Sequence, residues 1–243
     1  MRVRATVEYL GTAYAGWQYQ PDQPTIQEAI ERAIGVVTGA AVQVDAAGRT
    51  DAGVHAAAQV IAFELPDGTD LYRLRASLNA LTPDDIAVVA IEEASAKFDP
   101  RRDAHRRTYR YLIVKARPPS PLLADRSWHV YPRLDDGMLG RLATAILGTH
   151  DFRAFRAADC ESESTLRDVY TSRWNRVDHV LQYEITANAF LKQMVRILVG
   201  SMVDVALGRL TEADFLRVLA GGSRIEAGRT APARGLMLVR VDY

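Results

Sequence analysis

The first forty residues switch from one periodicity to another, and that switch restricts the architectures open to the chain more than any other feature. Val3, Ala5, Val7 and Tyr9 are apolar at every second position, the spacing of a strand with one buried face. Gly11 and Gly16 punctuate the loop that follows, and Thr25-Ile26-Gln27-Glu28 has the form of a capping box, the pattern that opens helices. Ile26, Ala29, Ile30, Ala33 and Ile34 then recur at helical spacing, so a helix is predicted from there to near Gly39. The patterning beyond it predicts a short strand over 41–45, a longer one over 54–65, a helix over 71–81 and a strand over 86–91. The order β-α-β-β-α-β is that of a ferredoxin-like unit, with helices on one face of an antiparallel sheet.

A charge cluster over 98–107 marks a boundary, giving an N-terminal α+β domain over 1–103 and a C-terminal one over 104–243. In the second half, strands are predicted over 108–115 and 127–131, separated by the turn region Pro118-Pro119-Ser120-Pro121. A helix over 136–147 precedes a hairpin, 169–174 with 180–186, turning at Asp178-His179. Phe190, Met194, Ile197, Leu198, Met202 and Val205 give an apolar stripe to a helix over 189–207, followed by a helix over 212–219 and a last strand over 236–241. The fold class read from this order is α+β, with two related sandwich domains and mainly antiparallel sheets.

At 243 residues with 48% apolar content, the chain can bury a sizeable core, and disordered and collagen-like classes are excluded. Its apolar runs are broken well short of the roughly 18 residues that a spanning helix needs, and Met1-Arg2-Val3-Arg4 leads into alternation, not into an apolar signal segment. A cytoplasmic protein is expected. The single cysteine, Cys160, can form neither an intrachain disulfide nor a multi-thiolate metal site. Thirty cationic residues balance thirty anionic ones, which argues against a uniformly basic nucleic-acid binder, but 27 of the cations are arginines. A GC-rich genome accounts for that excess; so does bidentate recognition of phosphate, which arginine performs better than lysine.

Three segments carry candidate chemistry. In Gly48-Arg49-Thr50-Asp51-Ala52-Gly53-Val54-His55 two glycines allow a tight turn that would hold the Asp51 carboxylate at a strand end, facing a cleft. An ordinary Asp-Gly-type turn fits the same residues. The run 101–110 holds five arginines, Arg101, Arg102, Arg106, Arg107 and Arg110, and leads into Tyr109 and Tyr111. Guanidinium groups interleaved with aromatic rings suit RNA phosphates and bases, while a solvated charge run before a strand is the plain alternative. Arg196 lies within an otherwise apolar helical stretch, where it either snorkels outward or meets a carboxylate. The five histidines show no metal-ligand spacing, and no Gly-x-Gly-x-x-Gly, P-loop or Gly-x-Ser-x-Gly segment is present. The acidic neighbours of Cys160 oppose thiol nucleophilicity.

These segments do more than coexist. Gly48 to Ala56 resembles the catalytic motif of the tRNA pseudouridine synthase A family. Similar motifs follow in that family's order: 78–86, the Arg-Thr-Tyr-Arg-Tyr stretch over 107–111, 150–156, Met194-Val195-Arg196 and 231–236. The resemblance implies isomerisation of uridine to pseudouridine at positions 38–40 of the tRNA anticodon stem-loop, with no metal or organic cofactor, in a homodimer whose domains flank a basic active-site cleft. It makes Asp51 the essential aspartate, Tyr109 the tyrosine against the target base, Arg196 the arginine that pairs with the aspartate, and Arg49 an aid to extrusion of the nucleotide. One carboxylate suits that chemistry, either by adding to the sugar or by promoting a glycal-type intermediate, whereas a hydrolase would want a second carboxylate and a placed water. A non-catalytic RNA-binding module on ferredoxin-like sheets is the alternative, although the aromatic-glycine motif expected on such a sheet is not found. A metal-dependent hydrolase is a further one.

Overall fold

A computed structural model describes residues 1–131 and 134–243. The chain forms two compact units, Met1–His105 together with Met237–Tyr243, and Arg106–Leu236. Both are α+β.

In the first unit, β1 (Arg2–Tyr9), α1 (Ile26–Thr38), β2 (Asp45–Ala46), β3 (His55–Glu64), α2 (Leu71–Leu81) and β4 (Ile86–Glu93) follow the expected order. Val3, Ala5, Val7 and Tyr9 are all buried, as their alternation requires. Thr25 caps α1 by accepting from the Glu28 amide, and Gly39 ends it at φ 71°, a left-handed conformation that glycine adopts without a Cβ clash. Burying Ile26, Ile30 and Ile34 contributes roughly 1.5–3 kcal/mol each. Strand order is β4-β1-β3, antiparallel throughout, with Val3 opposite Phe63 and Glu93. The far edge of β3 is shared. Its later half pairs with β2 (Asp45 opposite Ala62), and its first residues pair in parallel with the terminal strand β10 (Leu236–Asp242), Met237 opposite His55. The segment 47–54 therefore leaves the sheet and returns to it on one edge of a central strand.

The short strand expected over 41–45 is two residues long and shifted to 45–46. The reason is a side chain: Val44 N–H donates to Glu31 Oε1 of α1 at 3.0 Å, so the approach to the sheet is tied to the helix and not to a ladder.

The second unit contains β5 (Arg106–Val114), β6 (Trp128–His129), α3 (Asp136–Ala145), β7 (Gly148–Asp151), β8 (Leu166–Val177), β9 (Val180–Ala187), α4 (Met194–Ala206) and α5 (Glu212–Leu219). Its sheet runs β6-β5-β9-β8-β7, with β6 parallel to β5 and the other pairs antiparallel. The hairpin β8–β9 turns at Asp178, whose φ is 52°. Tyr111, Ile113, Tyr183 and Ile185 are buried, as are Phe152, Phe155, Phe215, Ile197 and Leu198. Phe155 meets Phe152 at 6.2 Å and Phe215 at 5.9 Å between ring centres.

The strand expected over 127–131 shortens to β6 and that over 169–174 lengthens to β8, and two further elements differ in kind. No apolar alternation marks the strand β7, because Gly148-Thr149-His150-Asp151 is polar and lies on the sheet edge, where none is demanded. The helix predicted from 189 begins at Met194. Gln193 has φ 62°, which a right-handed helix cannot hold, and the Asn188 Oδ1 accepts from the Ala189 and Asp168 amides, turning 188–193 into a separate entry segment.

Candidate active site

In the first unit the loop around Asp51 is held by its backbone. Thr50 is buried, its hydroxyl 2.8 Å from that of Tyr9 and its carbonyl accepting from Trp17 N–H at 3.0 Å. Asp51 forms an isolated antiparallel bridge with Gly16. Val54 N–H returns to the Asp51 carbonyl at 3.1 Å, closing the turn, and Gly53, at φ 76°, donates to the Tyr14 carbonyl at 3.3 Å. On the far side Gly11 N–H donates to His55 Nδ1 at 3.0 Å, which places the proton of the neutral imidazole on Nε2. Gln59 Nε2 donates to the Gly48 carbonyl at 2.7 Å.

Two glycines make this approach possible. A Cβ on Gly11 would stand 2.0 Å from the Val54 carbonyl oxygen, and one on Gly16 2.7 Å from that of Thr50. The segment 11–17 thus lies backbone to backbone against 50–55. Asp51 itself is only half-buried, and Arg49 is exposed. What results is a carboxylate on a peptide pinned at both flanks.

The sequence showed Gly11 and Gly16 only as loop punctuation. Their part in holding the Asp51 turn comes from pairing between segments more than thirty residues apart, which local patterning does not carry.

In the second unit Tyr109 lies on β5, half-buried, with its ring edge-on to Phe190 at 5.0 Å and 83°. Arg107, Tyr109 and Tyr111 share a strand face, being two residues apart. Tyr111 is buried, its hydroxyl donating to the Pro232 carbonyl at 2.7 Å; burial pushes its phenol well above the usual tyrosine range, against the opposing effect of Arg196 and Arg234. Arg107 donates to the Asn188 carbonyl at 2.9 Å.

Arg196 occupies the first turn of α4. Its Nε donates to the Ala231 carbonyl at 2.9 Å, and Ala231 N–H donates back to the Arg196 carbonyl at 3.0 Å. Gly200, one turn on, lets segment 228–231 come this close: a Cβ there would fall 1.8 Å from the Arg229 carbonyl oxygen. Asp204, only 6% exposed, accepts from the Arg229 amide at 3.0 Å and from its Nε at 2.9 Å. Arg196 is therefore anchored along its length to the Ala231 segment.

The basic run does not form one stripe. Arg101 and Arg102 belong to the first unit, on a turn whose amides both donate to Asp99 Oδ1; the Arg102 amide is the chief cause of a carboxyl held below its usual range. In the second unit the strand pleat sends Arg106 and Arg110 to the face opposite Tyr109. Arg106 lies 4.6 Å from the centre of the Tyr170 ring, and Arg110 reaches Glu184 at 3.7 Å beside Arg173 at 2.5 Å. Among the described residues no group of three or more His, Cys, Asp or Glu side chains is placed to hold a metal ion, and no helix is long and apolar enough to cross a membrane.

A family model described as tRNA pseudouridine synthase matches residues 5–101 and 142–243. The tRNA pseudouridine synthase A of Acetivibrio thermocellus is 40% identical over 241 residues, covering 99% of each chain. That of Myxococcus xanthus is 41% identical over 243 residues, covering 100% of this chain and 92% of its own, and that of a Thermoanaerobacter species 39% over 241. The chain belongs to the tRNA pseudouridine synthase family and is thereby an isomerase.

Proposed function

We propose that this protein converts uridine to pseudouridine in tRNA, at positions 38–40 of the anticodon stem-loop, with Asp51 as its essential group. The observation that carries the reading is the hold on Asp51: its neighbours are fixed by Trp17, Tyr14 and Gly11 while the residue itself is only half-buried. Such pre-organisation is what a group that must meet one sugar carbon requires.

In the reaction the bond between ribose C1′ and uracil N1 breaks, and its electron pair stays with the base. The uracil turns while held, its C5 bonds to C1′, the proton from C5 leaves to solvent and N1 takes one up. The Asp51 carboxylate either bonds to C1′ in between or promotes a glycal-type intermediate, and it is regenerated in both routes. Tyr109 supplies a ring against the freed base, where stacking also excludes water. Arg196 supplies the cation that pairs with the reacting aspartate, and Arg49 assists extrusion of the nucleotide, a step that costs a few kcal/mol. Of the basic run, Arg107 shares the Tyr109 face of β5 and is assigned to the RNA backbone, with Arg101 and Arg102 as further candidates on the first unit, whereas Arg106 and Arg110, on the opposite face of β5, are engaged by Tyr170 and Glu184. The resemblance further supports a homodimer working in the cytoplasm, which sedimentation at micromolar concentration tests for its first part.

Tritium release from tRNA labelled at uridine C5, wild type against Asp51→Ala, tests the assignment. Loss of release in the variant supports it. Unimpaired turnover would leave Asp51 a turn residue and favour another catalytic group, and no release by either protein would favour a non-catalytic RNA binder.

A further inference from the structure

The peptide around Asp51 leans on segment 11–17, and that segment needs its own support. Tyr14 is central to it. Its carbonyl accepts from Gly53, its amide donates to the Gly11 carbonyl at 3.0 Å, and its hydroxyl donates to Asp85 Oδ1 at 2.6 Å. Asp85 lies just before β4, beyond the α2 helix, and its own carbonyl accepts from Leu10 N–H at 2.9 Å. One residue therefore grips the segment twice, by side chain at Tyr14 and by backbone at Leu10. The neighbouring turn is fixed in its own right: the Thr82 hydroxyl lies 3.1 Å from the Leu78 carbonyl and 3.0 Å from that of Ile86, sharing its one donor between them, and Asn79 bonds Val88 in both directions, at 2.7 and 3.0 Å.

We infer that Tyr14 and Asp85 are positioning residues for Asp51, a strut that ties the segment gripping the Asp51 turn to the α2–β4 connection. This rests on the reading of Asp51 as the essential carboxylate. Tyr14 lies two residues from Gly16, whose bridge to Asp51 and close approach to Thr50 fix the aspartate from outside its own loop. Without the strut the Tyr14 carbonyl loses its fixed place, and Gly53 loses its acceptor. The phenol remains a donor at every working pH, because burial foremost, and then the bond to Asp85, push its ionisation far above the ordinary tyrosine range. The two side chains of the strut bond to each other, so its loss is expected to act on the rate of the chemical step and to leave RNA affinity in place.

The test is single-turnover conversion of a tRNA transcript, with dissociation constants and thermal melts measured on the same preparations. Tyr14→Phe is expected to slow single turnover about 10- to 100-fold, the scale of a displaced catalytic group. Its tRNA dissociation constant should stay within about threefold of wild type, the signature of an effect on chemistry and not on binding. Asp85→Asn keeps an Oδ1 acceptor and is expected to lose less than Asp85→Ala. The double variant Tyr14→Phe/Asp85→Ala should be no slower than the slower single variant, since both remove one strut. Asn79→Ala, which removes the two bonds to Val88 but leaves the Tyr14–Asp85 bond, should lower the melting temperature and slow turnover much less than Tyr14→Phe. A wild-type rate for Tyr14→Phe, or an equal slowing by Asn79→Ala, overturns the inference. Asp51→Ala, run in parallel, separates the two levels: if it is inactive while Tyr14→Phe is fully active, the strut fails and the Asp51 assignment stands, whereas an active Asp51→Ala removes the assignment itself.

Discussion

Arg106 stacks on Tyr170, 4.6 Å from guanidinium carbon to ring centre, on the face of β5 opposite the one that Arg107 shares with Tyr109. Adjacent arginines thus serve two surfaces. If the target base seats against Tyr109, Arg107 faces the RNA and Arg106 does not. Arg107→Gln keeps a donor for the Asn188 carbonyl and removes the charge, so it is expected to weaken tRNA binding and to lower the slope of log affinity against log salt by about one. Arg106→Gln should leave that slope unchanged. Anisotropy titrations over a range of salt concentrations check this, and the reverse pattern would move the RNA to the Tyr170 face.

Gly16 is the residue of segment 11–17 that bridges Asp51 itself. At φ 112° it adopts a conformation that L residues rarely hold, and an added Cβ would meet the Thr50 carbonyl oxygen at 2.7 Å. Gly16→Ala is expected to cost roughly 1–3 kcal/mol of stability through backbone strain. Its turnover at temperatures where it is still folded should fall further than that of a surface variant of equal stability. Urea unfolding paired with the tritium assay measures both, and a folded, fully active Gly16→Ala would show that the close approach is not needed.

Where local chemistry decides structure, the sequence was enough. The helix over 71–81 and that over 212–219 begin where predicted because Asp70 and Thr211 cap their first turns, accepting from amides three residues on. The βαββαβ order followed from periodicity in the same way. What escaped was non-local. The terminal strand pairs with β3 nearly two hundred residues back in the chain, β7 is an edge strand with no apolar signal, and Gln193 breaks a helix that the spacing of Phe190 and Met194 suggested. The same division runs through the site. Asp51 was legible as a residue of a Gly-flanked turn, whereas the Tyr14, Gly16 and Trp17 contacts that fix it depend on pairings which only the folded chain brings about.

Asp151, beside the 3₁₀ turn over Arg153–Phe155, accepts from the Arg153 side chain and amide and from Thr165 Oγ1, and its carboxyl is drawn down to about 2, chiefly by the Arg153 side chain. A carboxyl depressed in the folded state adds stability that is complete above its unfolded value, near 3.8, and vanishes as pH falls through about 2. Asp151→Asn should therefore be less stable than wild type at pH 7, with the gap narrowing steadily below pH 4. Denaturant midpoints at pH 7, 4 and 3 give the comparison. A gap that does not depend on pH would assign the loss to altered hydrogen bonding and not to charge.

Two glycines in helices of the second unit make opposite predictions for the same substitution. Gly140, in α3, has nothing within 4 Å of an added Cβ, so Gly140→Ala only restricts the unfolded chain and improves helix propensity, raising stability by roughly 0.4–1 kcal/mol. Gly200 in α4 faces the Arg229 carbonyl oxygen, 1.8 Å from where the Cβ would stand. Gly200→Ala must push segment 228–231 off the helix at a cost of roughly 1–3 kcal/mol. That movement also stretches the two bonds between Ala231 and Arg196, so the arginine loses its anchor while keeping its charge. Single-turnover rate should fall in Gly200→Ala and stay at the wild-type value in Gly140→Ala, with melting temperatures moving in opposite directions. If Gly200→Ala melts lower yet turns over at the wild-type rate, the hold of Ala231 on Arg196 serves the fold alone.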